Sequence, residues 1–351
     1  MQEKAFKILS IDGGGIRGIL PARILCELED ELSRSGAQNE RLYNYFDLIC
    51  GTSTGGIIAL GLALGMPAKE ILDLYKKNAD KIFKKGWLRN MGIFGPKYSA
   101  EYLSSLLENG FSKLSANGDT RLGHAKTRVC IPTYNAQLGK TQVYKTAHHE
   151  KLIRDYQIPA HHVALSSAAA PVFFPPHNFS YKNVDSDNPV HVSMNIDGGT
   201  IANNPTHIGL VEAHNTLGVP LNEIKVLSIG TGHSVFSESQ LKRGFGLIYW
   251  GKKGRLIDLM FSAQSQNTDN MIKLLNNGVG EGEKPRFYYK RIQHFFQSGE
   301  EVGLDETNPN KLLQLETIAL NCYKEHGAET YRQFLTEPKR EFKPHKQISH
   351  G

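Results

Sequence analysis

Short apolar runs that end in glycine-rich turns alternate with amphipathic stretches along this chain of 351 residues. Lys7-Ile8-Leu9-Ser10-Ile11 reads as a short buried strand entering Asp12-Gly13-Gly14-Gly15. From Ile19 to Leu32 the apolar residues Ile24, Leu25, Leu28 and Leu32 fall on one helical face. Tyr45 to Cys50 predicts a second strand, and Thr54 to Leu64 is small and apolar all round, as a fully buried helix would be. Arg128 to Tyr134 and Gln142 to Tyr144 predict further strands, followed by a short helix over Val163 to Ala170 that Pro171 stops. Val190 to Ile196 is a strand leading into Asp197, and Lys225 to Gly230 is another that ends in Gly-Thr-Gly. Arg255 to Asn277 and Lys311 to Leu335 have helical spacing, and Glu337 to Gly351 reads as a loose polar tail.

Strands that alternate with helices predict an α/β fold with a mostly parallel central sheet flanked by helices. Ligand sites in such sheets lie beyond the carboxyl ends of strands. Asp12, Ser53 and Asp197 each follow a predicted strand, so one sheet edge can collect all three. Residues 6–209 form the expected catalytic core. Residues 210–351 are expected to complete the sheet and to carry a regulatory or ligand-sensing region.

Composition narrows the class. The chain is 40% apolar and 22% charged, as ordinary globular proteins are. Its four cysteines, Cys26, Cys50, Cys130 and Cys322, are widely spaced, which argues against a disulfide framework or a zinc site. The N-terminal residues lack the apolar core of a signal peptide, and no apolar stretch reaches the roughly 20 residues that span a bilayer. A cytoplasmic protein is expected. The net charge of +6 is mild, and no nucleic-acid duplex is expected as a partner. The basic residues cluster, however, between Lys76 and Lys97 and between Lys242 and Arg291. Either stretch suits anionic headgroups or a phosphorylated ligand, or is a solvated basic face.

Three segments carry chemistry. Gly51-Thr52-Ser53-Thr54-Gly55 fits a nucleophile elbow, a strained strand-to-helix turn whose glycines remove colliding side chains. Gly13-x-Gly15-x-x-Gly18 formally matches a dinucleotide fingerprint. Asp12 would then repel the pyrophosphate, and the second strand ends in the serine elbow rather than in an acidic residue. The other reading is an oxyanion site: backbone N–H groups of Gly13, Gly14 and Gly15 backed by a helix N-terminus. Arg17 either adds positive charge there or forms a structural ion pair. Asp197-Gly198-Gly199 offers a base for Ser53, provided that burial raises its basicity. A triad would need a histidine, and His207, His214 and His233 all follow Asp197. Asn203 and Asn204 either orient Asp197 or cap the next helix.

These segments, with Ser166-Ser167-Ala168-Ala169-Ala170-Pro171 and Phe174-Pro175-Pro176, stand in an order that resembles the patatin-like phospholipases over Phe6 to Gly209. The resemblance implies Ser53 as nucleophile, Asp197 as its sole partner and an oxyanion hole at Gly13, Gly14 and Gly15. It implies acyl esters of membrane phospholipids as substrate, with no metal or cofactor. It also points to bacterial members that resemble anti-phage effectors switched on by a cyclic nucleotide. The alternative is a general esterase or thioesterase without nucleotide control. The stretch from Phe83 to Gly95 mixes basic residues with Trp87 and Phe94. It reads either as a membrane-interface lid or as a loop that packs both rings into the core.

Overall fold

The computed structural model describes residues 4–84, 95–186, 188–234, 254–277 and 284–348. Trp87 and Phe94, the expected membrane-interface residues, lie outside the described residues. The strands are β1 (Phe6–Ile11), β2 (Leu48–Gly51), β3 (Arg128–Asn135), β4 (Lys140–Lys145), β5 (His177–Lys182), β6 (Pro189–Asp197), β7 (Ile224–Ile229), β8 (His233–Ser234), β9 (Tyr288–Ile292) and β10 (Phe295–Phe296). The helices are α1 (Ile19–Arg34), α2 (Thr54–Leu64), α3 (Ala68–Ile82), α4 (Glu101–Ser112), α5 (Ala160–Ala168), α6 (Gly199–Ala202), α7 (Thr206–Val211), α8 (Arg255–Asn277) and α9 (Pro309–Thr330).

The alternation in β1 shows why the sheet is covered twice. Leu9 and Ile11 join one core with Ile49, Ile131, Leu227 and residues of α1 and α2. Ile8 joins another with Leu48, Cys50, Val226, Leu210 and Ile272. Successive side chains point to opposite faces, and β1 carries apolar residues on both, so both must be buried. The strand order is β5-β6-β3-β2-β1-β7-β9, with β4 also on β3. β3, β2, β1, β7 and β9 run parallel. β4, β5 and β6 form an antiparallel flank. The chain leaves β1 for β2 and β3 on one side and returns to place β7 and β9 on the other. β1 is therefore the topological switch point, and the crevice beyond its carboxyl end is the place for a ligand.

Three elements differ from expectation. β2 begins only at Leu48, because Asp47 turns back and its Oδ2 accepts from Lys7 N at 2.9 Å. α5 ends at Ala168, two residues before the one that Pro171 bars from helical geometry. The tail is pinned rather than loose. The ammonium of buried Lys7 donates to the carbonyls of Phe334 (2.9 Å) and Glu337. Lys339 N donates to Asn44 O at 2.8 Å, and His345 N to Ala147 O at 2.7 Å. The Arg128 guanidinium lies 5.5 Å from the Phe6 ring and 5.0 Å from that of Phe342. A buried cation needs such partners, and the polar tail supplies them.

Much of the basic excess is paired internally. Lys76 meets Glu316, Lys97 meets Asp305, Lys273 meets Asp269, and Arg291 meets Asp12. Among the described residues, no helix is long and apolar enough to cross a membrane.

Candidate active site

Ser53 stands between β2 and α2 with φ 54° and ψ −123°. This is a strained conformation for a residue with a side chain, and it turns the hydroxyl away from both elements. The turn is tight enough to demand its glycines. A Cβ on Gly51 would lie 2.0 Å from Gly55 O, and one on Gly55 would lie 2.3 Å from Ile11 O. Ser53 N donates to Ser167 Oγ at 3.0 Å, and Ser167 Oγ donates to Pro132 O at 2.7 Å.

Asp197 closes β6, where it pairs with Thr133 of β3. Its backbone N donates to Ala169 O, and Gly198 N donates to Ser167 O. The stretch from Ser166 to Ala170 thus holds both the serine turn and the aspartate turn. Gly198 permits this approach, because a Cβ there would lie 2.2 Å from Pro132 O. The Ser53 hydroxyl donates to Asp197 Oδ2 at 2.6 Å, and Gly199 N donates to Oδ1 at 2.6 Å. The carboxylate is fully buried. Burial pushes it up from the ordinary aspartate range to about 7, against the opposing effect of the Ser53 and Gly199 hydrogen bonds.

The glycine loop is held on several sides. Gly13 N donates to Asn203 O at 3.0 Å, while Thr231 Oγ1 donates to Gly13 O at 2.7 Å. Ile16 N donates to Leu304 O at 2.9 Å. Side chains are excluded here as well: a Cβ on Gly14 would lie 2.3 Å from Thr231 Oγ1, and one on Gly15 would lie 2.2 Å from Leu304 O. The expectation for Gly13 needs correction. Its N–H is already engaged, so it is not available to an oxyanion. Among the described residues, the N–H groups of Gly14 and Gly15 carry no such bond.

Arg17 is buried, and its Nη2 pairs with Asp258 Oδ1 at 2.6 Å. This is the structural ion pair rather than a free cation. Asp12 is also structural. Its carboxylate is gripped by Arg291 through Nη1 at 2.8 Å and Nη2 at 2.5 Å, and Ser265 Oγ donates to it at 2.5 Å. Asn203 serves the glycine loop rather than Asp197. Asn204 Oδ1 accepts from Thr206 N and Oγ1, the capping alternative.

Among the described residues, no histidine hydrogen-bonds to Ser53 or Asp197. Burial pushes His207 below the usual histidine range, and His214 Nδ1 meets Val219 O. His233 lines a different groove. One His/Cys/acid cluster, Cys130, His148 and Glu212, brings its ligand atoms within 4.8 Å of one another. Lys145 already occupies Glu212, and His148 is held between Thr146 and Glu212.

Ser53 opens into a narrow apolar cavity. Ile57, Leu103, Phe173, Phe174, Phe261 and Leu304 line it, with Phe83 from the stretch that carries Trp87. A nucleophilic oxygen, an adjacent base and two unengaged amide donors beside an apolar slot can perform acyl transfer on a long-chain ester.

Sequence reasoning missed Ser167, Thr231, Leu304 and Arg291. Ser167 entered only through the family resemblance of its small-residue stretch, which by itself read as a helix end. Nothing in the pattern separated Arg291 from the other basic residues near it.

A family model described as patatin-like phospholipase matches residues 9–210. A cGAMP-activated phospholipase of Pseudomonas aeruginosa is 33% identical over 341 residues, covering 95% of this chain and 90% of that one. A second, from Vibrio cholerae, is 35% identical over 282 residues, covering 75% of this chain and 74% of that one. Patatin-like protein 2 of Oryza sativa subsp. indica is 32% identical over 350 residues, covering 90% and 83%.

Proposed function

The chain belongs to the patatin-like phospholipase family, and from that premise we propose that it hydrolyses fatty-acyl esters of membrane phospholipids through Ser53 and Asp197, under the control of a cyclic nucleotide. The observation that carries the chemistry is the 2.6 Å bond from the Ser53 hydroxyl to a fully buried carboxylate. The activator is suggested by the names of the two bacterial relatives. An anti-phage role, to which the family resemblance points, is part of the same proposal.

In the proposed mechanism the acyl chain enters the apolar cavity and the ester carbonyl lies over Ser53. Asp197 Oδ2 takes the Ser53 proton as Oγ attacks the carbonyl carbon. The oxyanion that forms is met by the N–H groups of Gly14 and Gly15. Asp197 then returns the proton to the departing alcohol oxygen of the lysophospholipid, and the acyl group stays on Ser53. A water molecule repeats the sequence and releases the fatty acid. A carboxylate poised near 7 can accept and donate this proton at neutral pH. The surroundings of the cavity meet the bilayer in this reading, so the protein contacts membranes peripherally when active.

The test is fatty-acid release from mixed phospholipid liposomes, with and without a panel of cyclic nucleotides. Ser53→Ala and Asp197→Ala are each expected to lower release at least 10³-fold. Activity retained in Asp197→Ala would end the dyad. Equal release with and without every nucleotide would leave an unregulated esterase.

A further inference from the structure

Arg291 belongs to two places at once. Its guanidinium holds Asp12 at the root of the glycine loop, and its side chain also lines a second groove of about 600 Å³. This groove is far larger than the acyl cavity and differs from it in chemistry. We propose that it is the regulatory site, that it takes a cyclic dinucleotide, and that Arg291 and Gln293 pass its occupancy to the oxyanion loop. The inference rests on the nucleotide control proposed above.

The walls suit that ligand class. The Phe295 ring is 51% exposed and lies 5.7 Å from that of His233, a platform for a purine base. Asn276 and Gln293 offer amide groups for base edges, and the Gln293 Nε2 is buried without a partner among the described residues. Lys273 and Arg291 also line the groove, Lys273 paired with Asp269 and Arg291 with Asp12, so a phosphate would share or displace these carboxylates. Burial, and after it the Arg291 and Arg17 guanidiniums, pushes His233 down to about 3, so its ring is neutral beside Phe295.

Two links lead from this groove to the catalytic loop. Through the first, Arg291 clamps both carboxylate oxygens of Asp12 and donates to Ser228 Oγ at 2.7 Å. Through the second, Gln293 Oε1 accepts from Gly232 N at 3.1 Å, and the neighbouring Thr231 donates to Gly13 O. A phosphate drawn to Arg291, or a base that turns Gln293, acts on the segment that presents the Gly14 and Gly15 amides. Arg291 is a positioning residue in this scheme, because it reaches the reacting atoms only through Asp12. Two distinct sites joined by defined contacts are what coupling between ligands requires.

The test measures cGAMP binding to the full chain by calorimetry, and cGAMP-stimulated fatty-acid release from liposomes. Phe295→Ala and Lys273→Ala are each expected to raise Kd at least tenfold. Arg291→Lys keeps the charge but loses the bidentate fork. At saturating cGAMP it is expected to lose at least tenfold in kcat with KM for lipid unchanged. Wild-type-like Kd in both groove variants would overturn the groove while leaving nucleotide control in place. Absence of cGAMP binding by the wild type, with release that needs no nucleotide, would remove nucleotide control and the groove with it. Hydrogen exchange of the wild type with and without cGAMP guards against misfolded variants. Protection over α8 and β9 supports the site, and protection confined elsewhere overturns it.

Discussion

Asp197 has a carboxylate beside a serine and, among the described residues, no cation in contact, so burial is what raises its basicity. A carboxylate raised to about 7 is protonated below neutrality and cannot then accept the Ser53 proton. Hydrolysis is therefore expected to fall about tenfold per pH unit below roughly pH 7. The consequence for stability has the opposite sense. The folded state holds a proton between the unfolded aspartate range and about 7, so stability is fully present at low pH and declines as pH rises through that window. Asp197→Asn can keep the Gly199 N–H bond on its amide oxygen while its Nδ2 donates to Ser53 Oγ, reversing that bond, and it carries no buried charge. It is expected to abolish hydrolysis and to raise the melting temperature at pH 8, by roughly 2–4 °C per kcal/mol of relieved desolvation. Scanning calorimetry at pH 5 and pH 8 checks this, and the gain should shrink at pH 5. Ser53 and Asp197 were legible in the sequence because each sits in a glycine pattern that only a tight turn requires. Gly13 was misjudged because a row of glycines does not reveal which N–H is already spent; Asn203 O, far along the chain, decides that.

At the level of elements, the site depends on turns held by one small-residue segment. Ser167 gives its oxygen to Ser53 N and its carbonyl to Gly198 N. Ser167→Ala leaves the Ser53 N–H buried and unpaired, at a cost of about 1–3 kcal/mol. It should lower kcat at least tenfold with little change in KM, and steady-state kinetics on a soluble ester would show the split. Gly14→Ala places a methyl 2.3 Å from Thr231 Oγ1 and forces the loop away. A loss of about 10²–10³ in kcat is expected, as for removal of an oxyanion donor. The strands and the helices α1 and α8 were readable from periodicity, since each buries a distinct face, and α2 from being small and apolar all round. The ends of β2 and α5 were not, because Asp47 and the serine-alanine run are positioned by contacts from β1 and β6 rather than by their own sequence.

For the whole molecule, the parallel centre and the convergence of three strand ends on one crevice followed from alternation and turn chemistry. In the last third the two long helices were legible, but β9 and the long-range contacts were not. Its strand β9 supplies Arg291 to the catalytic loop, and its polar tail closes over Lys7 and Arg128. Such contacts span more than 200 residues of chain, from Asp12 to Arg291 and from Arg128 to Phe342. No local pattern encodes them. Truncation after Pro338 removes the Lys339 and His345 backbone bonds and the Phe342 ring. Urea denaturation should report a loss of about 1–3 kcal/mol. The most direct measurement of the central claim is the rate of Ser53 acylation by a long-chain fluorophosphonate in the presence of cGAMP, followed by intact mass and peptide mapping. One adduct on Ser53 is expected, formed at least 100-fold more slowly in Asp197→Asn and more slowly in wild type below about pH 7. An adduct at another residue, or labelling of Asp197→Asn within threefold of wild type, would contradict a Ser53–Asp197 dyad.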